Sequence, residues 1–200
     1  MGQENNIFFD SWTVYDQILD HNYMFHNELF VDLQEFLVNR FANNPITVLD
    51  LGCGSARHLT DVLTRFAVAH YRGYDLSETA LKFARRNLIT LDCPVELIQD
   101  DLLSGLKKQD KLYDVVFSSF ACHHLNETEK QHFFQMANQC LTESGVLVLI
   151  DVVRDEDENL SVYLDRYCDW LRSNWGALHS EALEVACEHI YGNDRSRTNQ

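Results

Sequence analysis

The stretch VLDLGCGSA, residues 48–56, joins a short apolar run to two closely spaced glycines. Its first four residues have the composition of a buried strand, yet the acidic Asp50 stands among them. Glycine allows a sharp turn and lets a ligand approach the backbone closely, so Gly52 and Gly54 predict a ligand-binding turn after the strand. The carboxylate just ahead of them favours a ligand that carries a positive charge.

The spacing of the glycines departs from the dinucleotide-binding fingerprint G-x-G-x-x-G. Arg57 stands at the third position, where glycine normally allows close packing of helix on strand around a pyrophosphate. Asp50 ahead of the glycine pair also disfavours a diphosphate. A nicotinamide-dependent oxidoreductase is therefore retained only as the weakest alternative.

Helix and strand patterns alternate after residue 46. Five apolar runs predict strands, at 46–51, 70–76, 94–99, 113–120 and 144–153. Continuous apolar strands separated by helices indicate a parallel sheet covered on both faces, and right-handed crossovers make that sheet doubly wound. We therefore predict one α/β domain, with a helical lid over 1–45, a core over 46–153 and a helical C-terminal segment over 154–200.

Helix ends and buried faces can be predicted for several segments. Ser77 is the expected N-cap of the helix that follows the second strand. Asn126 and Glu129 form a capping-box pattern. Helical spacing predicts a helix over 55–69. In the lid, one apolar stripe is predicted to face the core: Leu29, Phe30, Leu33, Phe36, Leu37 and Phe41.

Composition and charge narrow the class of partner. The net charge of −15 repels phosphate backbones and acidic membranes, so neither nucleic acid nor a membrane is an expected partner. No stretch reaches the roughly 18 apolar residues of a membrane span, and no signal-peptide pattern is found, so a cytoplasmic location is expected. The six cysteines form no CxxC pair, which predicts reduced core thiols. Adjacent histidines at 123 and 124 have no matching Asp, Glu or Cys cluster, so no metal site is expected.

Five stretches resemble the motifs of class I S-adenosylmethionine-dependent methyltransferases, in the family's order. They are VLDLGCGSA, YRGYDLSETAL (71–81), LIQDDLL (97–103), YDVVFSSFACHHL (113–125) and LTESGVLVLIDVV (141–153). The resemblance covers residues 46–153. With the strand pattern, it predicts a sheet of strand order 3-2-1-4-5. It implies S-adenosylmethionine as the methyl donor, which leaves as S-adenosylhomocysteine.

The resemblance assigns the nucleoside part of the cofactor to the second and third motifs. Asp75 ends the second strand and is implied to hold the two ribose hydroxyls, while Leu76 packs on adenine. Asp101 is implied to bind the adenine amino group, with Leu102 beside the ring. Asp100 competes with Asp101 for that role, and only the register of the motif favours Asp101.

The first motif is implied to hold the amino-acid part of the cofactor. Asp50 matches its ammonium group, directly or through water. The other predicted cofactor contacts are Gly52, Cys53, Gly54, Ser118 and Ser119.

The segment after the fourth strand narrows the acceptor. It contains neither the Asp/Asn-Pro-Pro-Tyr motif of enzymes that methylate adenine bases or glutamine amides nor the Pro-Cys pair of cytosine C5 enzymes. With the acidic net charge, this favours a small-molecule acceptor. His123 and His124 stand where small-molecule members place residues facing the acceptor, and one of them is predicted to orient it or take its proton. The alternative is that one of them only caps the following helix or packs against it.

The lid is rich in aromatic and histidine side chains. Because residues ahead of the first strand often fold over the cofactor in this family, we predict that Tyr15, Tyr23 and His26 contact the substrate. An amphipathic helix with these polar residues at the surface is the alternative.

The resemblance ends after the fifth strand. The family's full sheet has seven strands, whereas the residues after Val153 have a helical pattern. A methyltransferase-like protein that binds the cofactor or regulates a partner without turnover therefore stays open beside the enzyme. For the edge of the fifth strand we expect either a monomer with helical cover or a homodimer.

Overall fold

The computed structural model describes residues 12–42, 44–155 and 157–193, which form a parallel sheet between helices. The strands are β1 Ile46–Leu51, β2 Val68–Asp75, β3 Val95–Gln99, β4 Tyr113–Ser119 and β5 Leu141–Ile150. Their order is β3-β2-β1-β4-β5, and every neighbouring pair is parallel. The predicted doubly wound α/β fold is confirmed.

Helices connect the strands, and further helices precede β1 and follow β5 in the chain. They are α1 Trp12–Asp20, α2 His26–Phe41, α3 Arg57–Leu63, α4 Glu78–Asn87, α5 Leu102–Lys107, α6 Glu127–Gln139, α7 Leu160–Asn174 and α8 Ser180–Asn193. Two short 3₁₀ turns follow α4 and β4, at Leu88–Thr90 and Cys122–His124. Within the described ranges, no helix is long and apolar enough to cross a membrane.

The strand order reverses at β1, which pairs with β2 on one side and β4 on the other. Asp50 of β1 stands opposite Gly73 of β2 and Phe117 of β4. Ligands of doubly wound sheets bind beyond the carboxyl ends of the strands at such a switch point. The loops after β1, β2 and β4 therefore frame the place where a ligand is expected.

Apolar burial occurs in three clusters. Leu37 of α2 and Leu63 of α3 pack on one face of the sheet, and Phe133 of α6 packs on the other. The third cluster joins α1 to the C-terminal helices through Ile18, Leu171 and other side chains. The lid and the C-terminal segment thus share a core of their own.

Several predicted boundaries need correction. The helix predicted over 55–69 is only Arg57–Leu63, because Val68 already pairs with Ile46 in the sheet. Strand β5 spans 141–150 rather than 144–153, because its pairing with β4 ends where Ser119 meets Ile150.

The helix faces follow the prediction with one exception. Phe36 is 46% exposed, and the buried face of α2 is formed by His26, Phe30, Leu33, Leu37 and Phe41. The predicted caps are confirmed. Ser77 accepts a hydrogen bond from the N–H of Ala80, and the capping box of Asn126 and Glu129 is present in both directions.

Candidate active site

The loop between β1 and α3 is a tight turn held by the end of β2. Gly52, Gly54 and Ala56 all have left-handed backbone conformations, with φ of 77°, 52° and 53°. The N–H groups of Gly52 and Cys53 both donate to the carbonyl oxygen of Tyr74, at 2.8 and 2.9 Å. The turn that the sequence predicts is therefore fixed by hydrogen bonds from its own backbone.

The residues of this loop have different surroundings. A Cβ atom at Gly52 would lie 2.5 Å from the Cβ of Ala121, so this position requires glycine for space as well as conformation. A Cβ at Gly54 would meet no atom within 4 Å. The Cys53 side chain is buried, and burial raises the pKa of its thiol well above its usual range. The sulfur is therefore not an ionised nucleophile at neutral pH.

Asp75 links the loops that follow β1 and β2. Its Oδ2 accepts the N–H of Gly54 and its Oδ1 accepts the N–H of Ser77, each at 2.8 Å. Burial raises the pKa of this carboxyl, against the opposing effect of the two hydrogen bonds. Carboxylate oxygens have further lone pairs, so hydroxyl donors can still bind here. Beside it Leu76 is 59% exposed, whereas Leu102 is partly buried against the core.

Asp50 is an acid buried at the end of β1. It is only 2% exposed, and its Oδ2 accepts the hydroxyl of Tyr71 at 2.6 Å. Burial raises the pKa of Asp50 to about 7, although the hydrogen bond from Tyr71 lowers it. A cation placed beside this carboxyl would favour its ionised form.

Asp101 and Asp100 have separate roles in the loop after β3. Oδ1 of Asp101 accepts the N–H groups of Leu103 and Ser104, at 3.0 and 2.9 Å, and so caps α5. Burial acts to raise the pKa of Asp101, but the hydrogen bonds from Ser104 and Leu103 outweigh it and lower the pKa. Asp100 forms an ion pair with Lys108.

A narrow pocket lies between the glycine loop, the lid helices and the end of β4. It brings together predicted site residues from distant parts of the chain: Tyr15, His26, Asp50, Gly52, Cys53, Gly54 and Ser119. It is also lined by Phe30, Phe117 and His58, which the sequence did not indicate as site residues. The polar groups of the lid therefore meet the cofactor motifs at one place.

Two other predicted residues, Tyr23 and Ser118, make contacts within the protein. The ring of Tyr23 stacks on Trp175 at 5.1 Å, and its hydroxyl accepts the N–H of Ala177 at 2.8 Å. Ser118 is fully buried, and its hydroxyl donates to the carbonyl oxygen of Leu51 at 2.8 Å. Neither side chain is among those that line the pocket.

The 3₁₀ turn after β4 carries a histidine held by an acid. Nδ1 of His123 lies 2.6 Å from Oδ1 of Asp151, and the backbone N–H of His123 donates to Oδ2 of Asp151 at 2.9 Å. The ring of His124 packs on His123 at 4.0 Å and on His189 at 5.4 Å, measured between centroids. Sequence reasoning missed Asp151, although it follows β5 at the edge where β4 also ends.

A second pair of histidines lies in the pocket itself. The rings of His26 and His58 stack at 4.9 Å, and Phe120 packs against His26 at 5.1 Å. In the part of the chain that is described, Nδ1 of His26 and Nε2 of His58 are buried without a hydrogen-bond partner. Burial lowers the pKa of His26 to about 4 and also lowers the pKa of His58. The sequence signal for His58 was its place one residue after the start of α3.

Other candidate ligand sites lack this chemistry. A cavity of about 500 Å³ is lined by Leu106, Lys107, Leu112 and Met136. It lies at the amino ends of β4 and β5, whereas the candidate site lies at the carboxyl ends of the strands. Among the described residues, no group of three or more His, Cys, Asp or Glu side chains is arranged to hold a metal ion.

Comparison of the sequence with known proteins identifies relatives. A family profile described as "Methyltransferase domain" matches residues 48–145, about half of the chain. Cyclopropane mycolic acid synthase 3 of Mycobacterium tuberculosis is 28% identical over 109 residues, which are 54% of this chain and 37% of that protein. An uncharacterized methyltransferase of Bacillus mycoides is 29% identical over 164 residues, 78% of this chain and 72% of that protein. The chain thus spans little more than a third of the length of the mycobacterial relative.

Solved structures show the same fold. The plantazolicin methyltransferase BpumL, in complex with a triazolic desmethylPZN analog and S-adenosylhomocysteine, has a TM-score of 0.67 at 16% identity and covers 96% of this chain and 67% of its own. Streptomyces venezuelae DesVI has a TM-score of 0.57 at 22% identity and covers 74% of this chain and 59% of its own. At such identities these likenesses concern the fold alone. The match to the methyltransferase profile and the five ordered motifs lead to one assignment: the chain belongs to the class I S-adenosylmethionine-dependent methyltransferases.

Proposed function

We propose that this chain transfers the methyl group of S-adenosylmethionine to a small-molecule acceptor. The observation that carries the proposal is the position of Asp75, which binds the glycine loop through Gly54 and ends β2, the strand beside the switch-point strand β1. Beside it, Asp50 lines a pocket that the lid helices close. This arrangement offers one acid to a ribose and another to an ammonium group.

Each part of the cofactor has a matching group in this proposal. The ribose hydroxyls donate to Asp75, and adenine packs on Leu76, whose 59% exposure leaves it available. The adenine amino group donates to Oδ2 of Asp101, because Oδ1 serves as the cap of α5. The ammonium group binds the ionised form of Asp50.

The chemistry is an in-line displacement at the sulfonium methyl. A lone pair of the acceptor forms the new bond to carbon as the carbon–sulfur bond breaks, and S-adenosylhomocysteine leaves as a thioether. The protein contributes chiefly by aligning the two reactants and excluding water. A base is required only where the acceptor carries a proton at the working pH.

His123 is the group we propose as that base. Asp151 holds Nδ1 and the backbone N–H of His123, so the ring is fixed and Nε2 is left to accept the proton. The carboxylate of Asp151 would also stabilise the imidazolium that forms. In this proposal His124 supports the ring of His123 by packing against it.

The acidic net charge and the absence of a proline motif after β4 support a small acceptor rather than a nucleic acid. The lid supports the same class, because Tyr15 and His26 narrow the pocket. Tyr23, by contrast, is proposed only to anchor the lid on the C-terminal helices.

The test is calorimetry with S-adenosylhomocysteine, followed by measurement of its formation from S-adenosylmethionine over a panel of small O, N, S and C acceptors. Binding together with turnover is the expected result. Absence of binding, or displacement of the ligand by NADH, would contradict the proposal.

A second candidate is a cofactor-binding protein without turnover. It is favoured by one observation: after β5, the described residues form helices rather than the family's last two strands. Tight binding with no product from any acceptor would support this alternative.

A further inference from the structure

We propose that His26 and His58 form the subsite for the α-carboxylate of the cofactor's amino-acid part. This inference rests on the proposed function, since it concerns the same cofactor. It adds a pair of residues, one from the lid and one from α3, whose ring N–H groups recognise one end of the ligand.

The two rings have the burial and the unused hydrogen-bonding capacity that a ligand site requires. His26 is 3% exposed, its Nδ1 has no partner among the described residues, and the same is true of Nε2 of His58. Buried polar groups are normally hydrogen-bonded, and leaving one unsatisfied is unfavourable. Both residues line the pocket that also contains Asp50. A polar ligand group in that pocket would satisfy both nitrogens.

The chemistry of the pocket favours an amino-acid zwitterion. The ammonium and the carboxylate of such a ligand are bonded to the same carbon atom, so a pocket that binds one must accommodate the other. Asp50 supplies the acid that an ammonium requires. Each neutral imidazole has one ring N–H, which can stand on either nitrogen. Donors from His26 and His58 therefore complement the carboxylate.

The neighbouring cation is already engaged. Nη1 of Arg57 lies 2.7 Å from Oδ1 of Asp20, and both side chains are about half exposed to water, at 46% and 59%. The ring of His26 is instead buried beside Phe30 and Phe120, and the partly buried ring of His58 packs against Phe30. Hydrogen bonds to a charged group are stronger in such surroundings than in water.

The experiment compares three ligands on the wild type, on His26→Phe, on His58→Phe and on the double variant. S-Adenosylhomocysteine has the ammonium and the carboxylate, decarboxylated S-adenosylhomocysteine retains only the ammonium, and methylthioadenosine has neither. Phenylalanine keeps the aromatic packing and removes the ring nitrogens. His132→Asn, at an exposed position of α6, is the matched control.

We expect the double variant to bind S-adenosylhomocysteine at least tenfold more weakly, and methylthioadenosine and the decarboxylated compound as the wild type does. Retained binding of methylthioadenosine also reports that the variant is folded. Single variants with His26→Asn or His58→Asn provide a second set if the phenylalanine variants do not fold.

Other outcomes overturn the inference in distinguishable ways. Equal losses for all three ligands would indicate a packing role, and equal losses for the two ammonium ligands would assign the histidines to the ammonium. Unchanged ligand affinity with a raised KM for the acceptor would assign them to the acceptor. If the wild type binds none of the three ligands, the proposed function itself fails.

Discussion

At the scale of single residues, Asp50 is a carboxyl whose charge the ligand should change. Burial raises its pKa to about 7, so near pH 7 about half of the molecules carry the proton in the free protein. An ammonium beside it lowers the pKa. We expect binding of S-adenosylhomocysteine near pH 7 to release about half a proton, and near pH 8.5 almost none.

Calorimetry in buffers of different ionisation enthalpy measures this proton release. Methylthioadenosine, which has no ammonium, is the control and should release none. Equal release with both ligands would remove Asp50 from the ammonium site.

The same carboxyl makes stability depend on pH. The pKa of Asp50 is higher in the folded chain than the ordinary value of 3.8, so its contribution to stability is present below that value and is lost as pH rises through about 7. His26 acts in the opposite direction: its pKa is lowered to about 4, so its contribution is lost as pH falls from about 6.5 through 4.

Asp50→Asn removes the first of these effects and keeps an acceptor for the Tyr71 hydroxyl. We compare the free energy of unfolding of the variant with that of the wild type. As pH rises from 4.5 to 8, we expect this difference to shift by about 2–4 kcal/mol in favour of the variant. Urea unfolding at several pH values measures the difference. A difference that stays constant with pH would show that the Asp50 carboxyl is ionised throughout.

Asp151 is a positioning residue for His123 in the proposed mechanism. Asp151→Asn should leave the affinity for S-adenosylhomocysteine unchanged, while kcat for a proton-bearing acceptor falls by about tenfold to a hundredfold. The pH–rate profile should shift because the histidine loses its charged partner. An unchanged profile with a reduced affinity would indicate a structural role instead.

The residues of the site differ in how far the sequence could predict them. Asp50, Gly52 and Gly54 could be located because the strand, the acid and the turn are contiguous. His58 and Asp151 could not, because their proposed roles depend on contacts with His26 and His123, which are distant in sequence.

At the scale of elements, the two glycines of the first loop form a matched pair. Gly52→Ala places a Cβ 2.5 Å from the Cβ of Ala121 at a φ of 77°, and we expect it to lower the free energy of unfolding by about 2–5 kcal/mol. Gly54→Ala meets no atom and adds only left-handed strain, about 1–2 kcal/mol.

The same pair separates stability from binding. We expect Gly54→Ala to reduce the free energy of S-adenosylhomocysteine binding by more than it reduces the free energy of unfolding, because the new methyl group would enter the ligand space. Denaturant unfolding and calorimetry on both variants provide the comparison. Equal destabilisation by the two changes would refute this account of the loop.

Element boundaries could be predicted where the signal is local. Ser77 and Asn126 mark helix starts because their side chains bond backbone groups within three residues. The sequence places the end of α3 too late, because Val68 fits the helical spacing of the residues before it. Only its pairing with Ile46, a contact between strands, makes Val68 part of β2. The apolar spacing of 55–69 contains no sign of that pairing.

At the scale of the whole molecule, β5 is the edge of the sheet in the described residues. It pairs with β4 and, within those ranges, with no other strand. Arg40 of α2 donates to the carbonyl oxygen of Ser144 at 2.8 Å, which satisfies one acceptor of the strand. Unpaired edges of this kind promote association between copies.

Two neighbouring substitutions test the edge. Leu149 is 38% exposed, so Leu149→Lys should reduce any self-association seen in sedimentation velocity and change stability by less than about 1 kcal/mol. Val148 packs against the core cluster beside α2 and α3, so Val148→Lys should instead lower the free energy of unfolding by at least about 2 kcal/mol. A wild type that stays monomeric at every concentration would show that the edge is covered.

The contact between the lid and the C-terminal segment lay beyond sequence reasoning. Leu171 and Trp175 of the C-terminal segment are buried. The sequence does not indicate what covers Trp175, because Tyr23 meets Trp175 and Ala177 across more than 150 residues of chain. Periodicity predicts that a face is buried but not what it is buried against.

The bridge that Asp75 makes between Gly54 and Ser77 also has a kinetic meaning. Because these two hydrogen bonds already join the loops after β1 and β2, we expect the proposed nucleoside half of the site to be ordered before a ligand arrives, with no ordering step after the encounter. Related nucleosides should then associate at similar rates and differ mainly in how long they stay bound. Residence time, rather than the rate of capture, is where this site would discriminate among them.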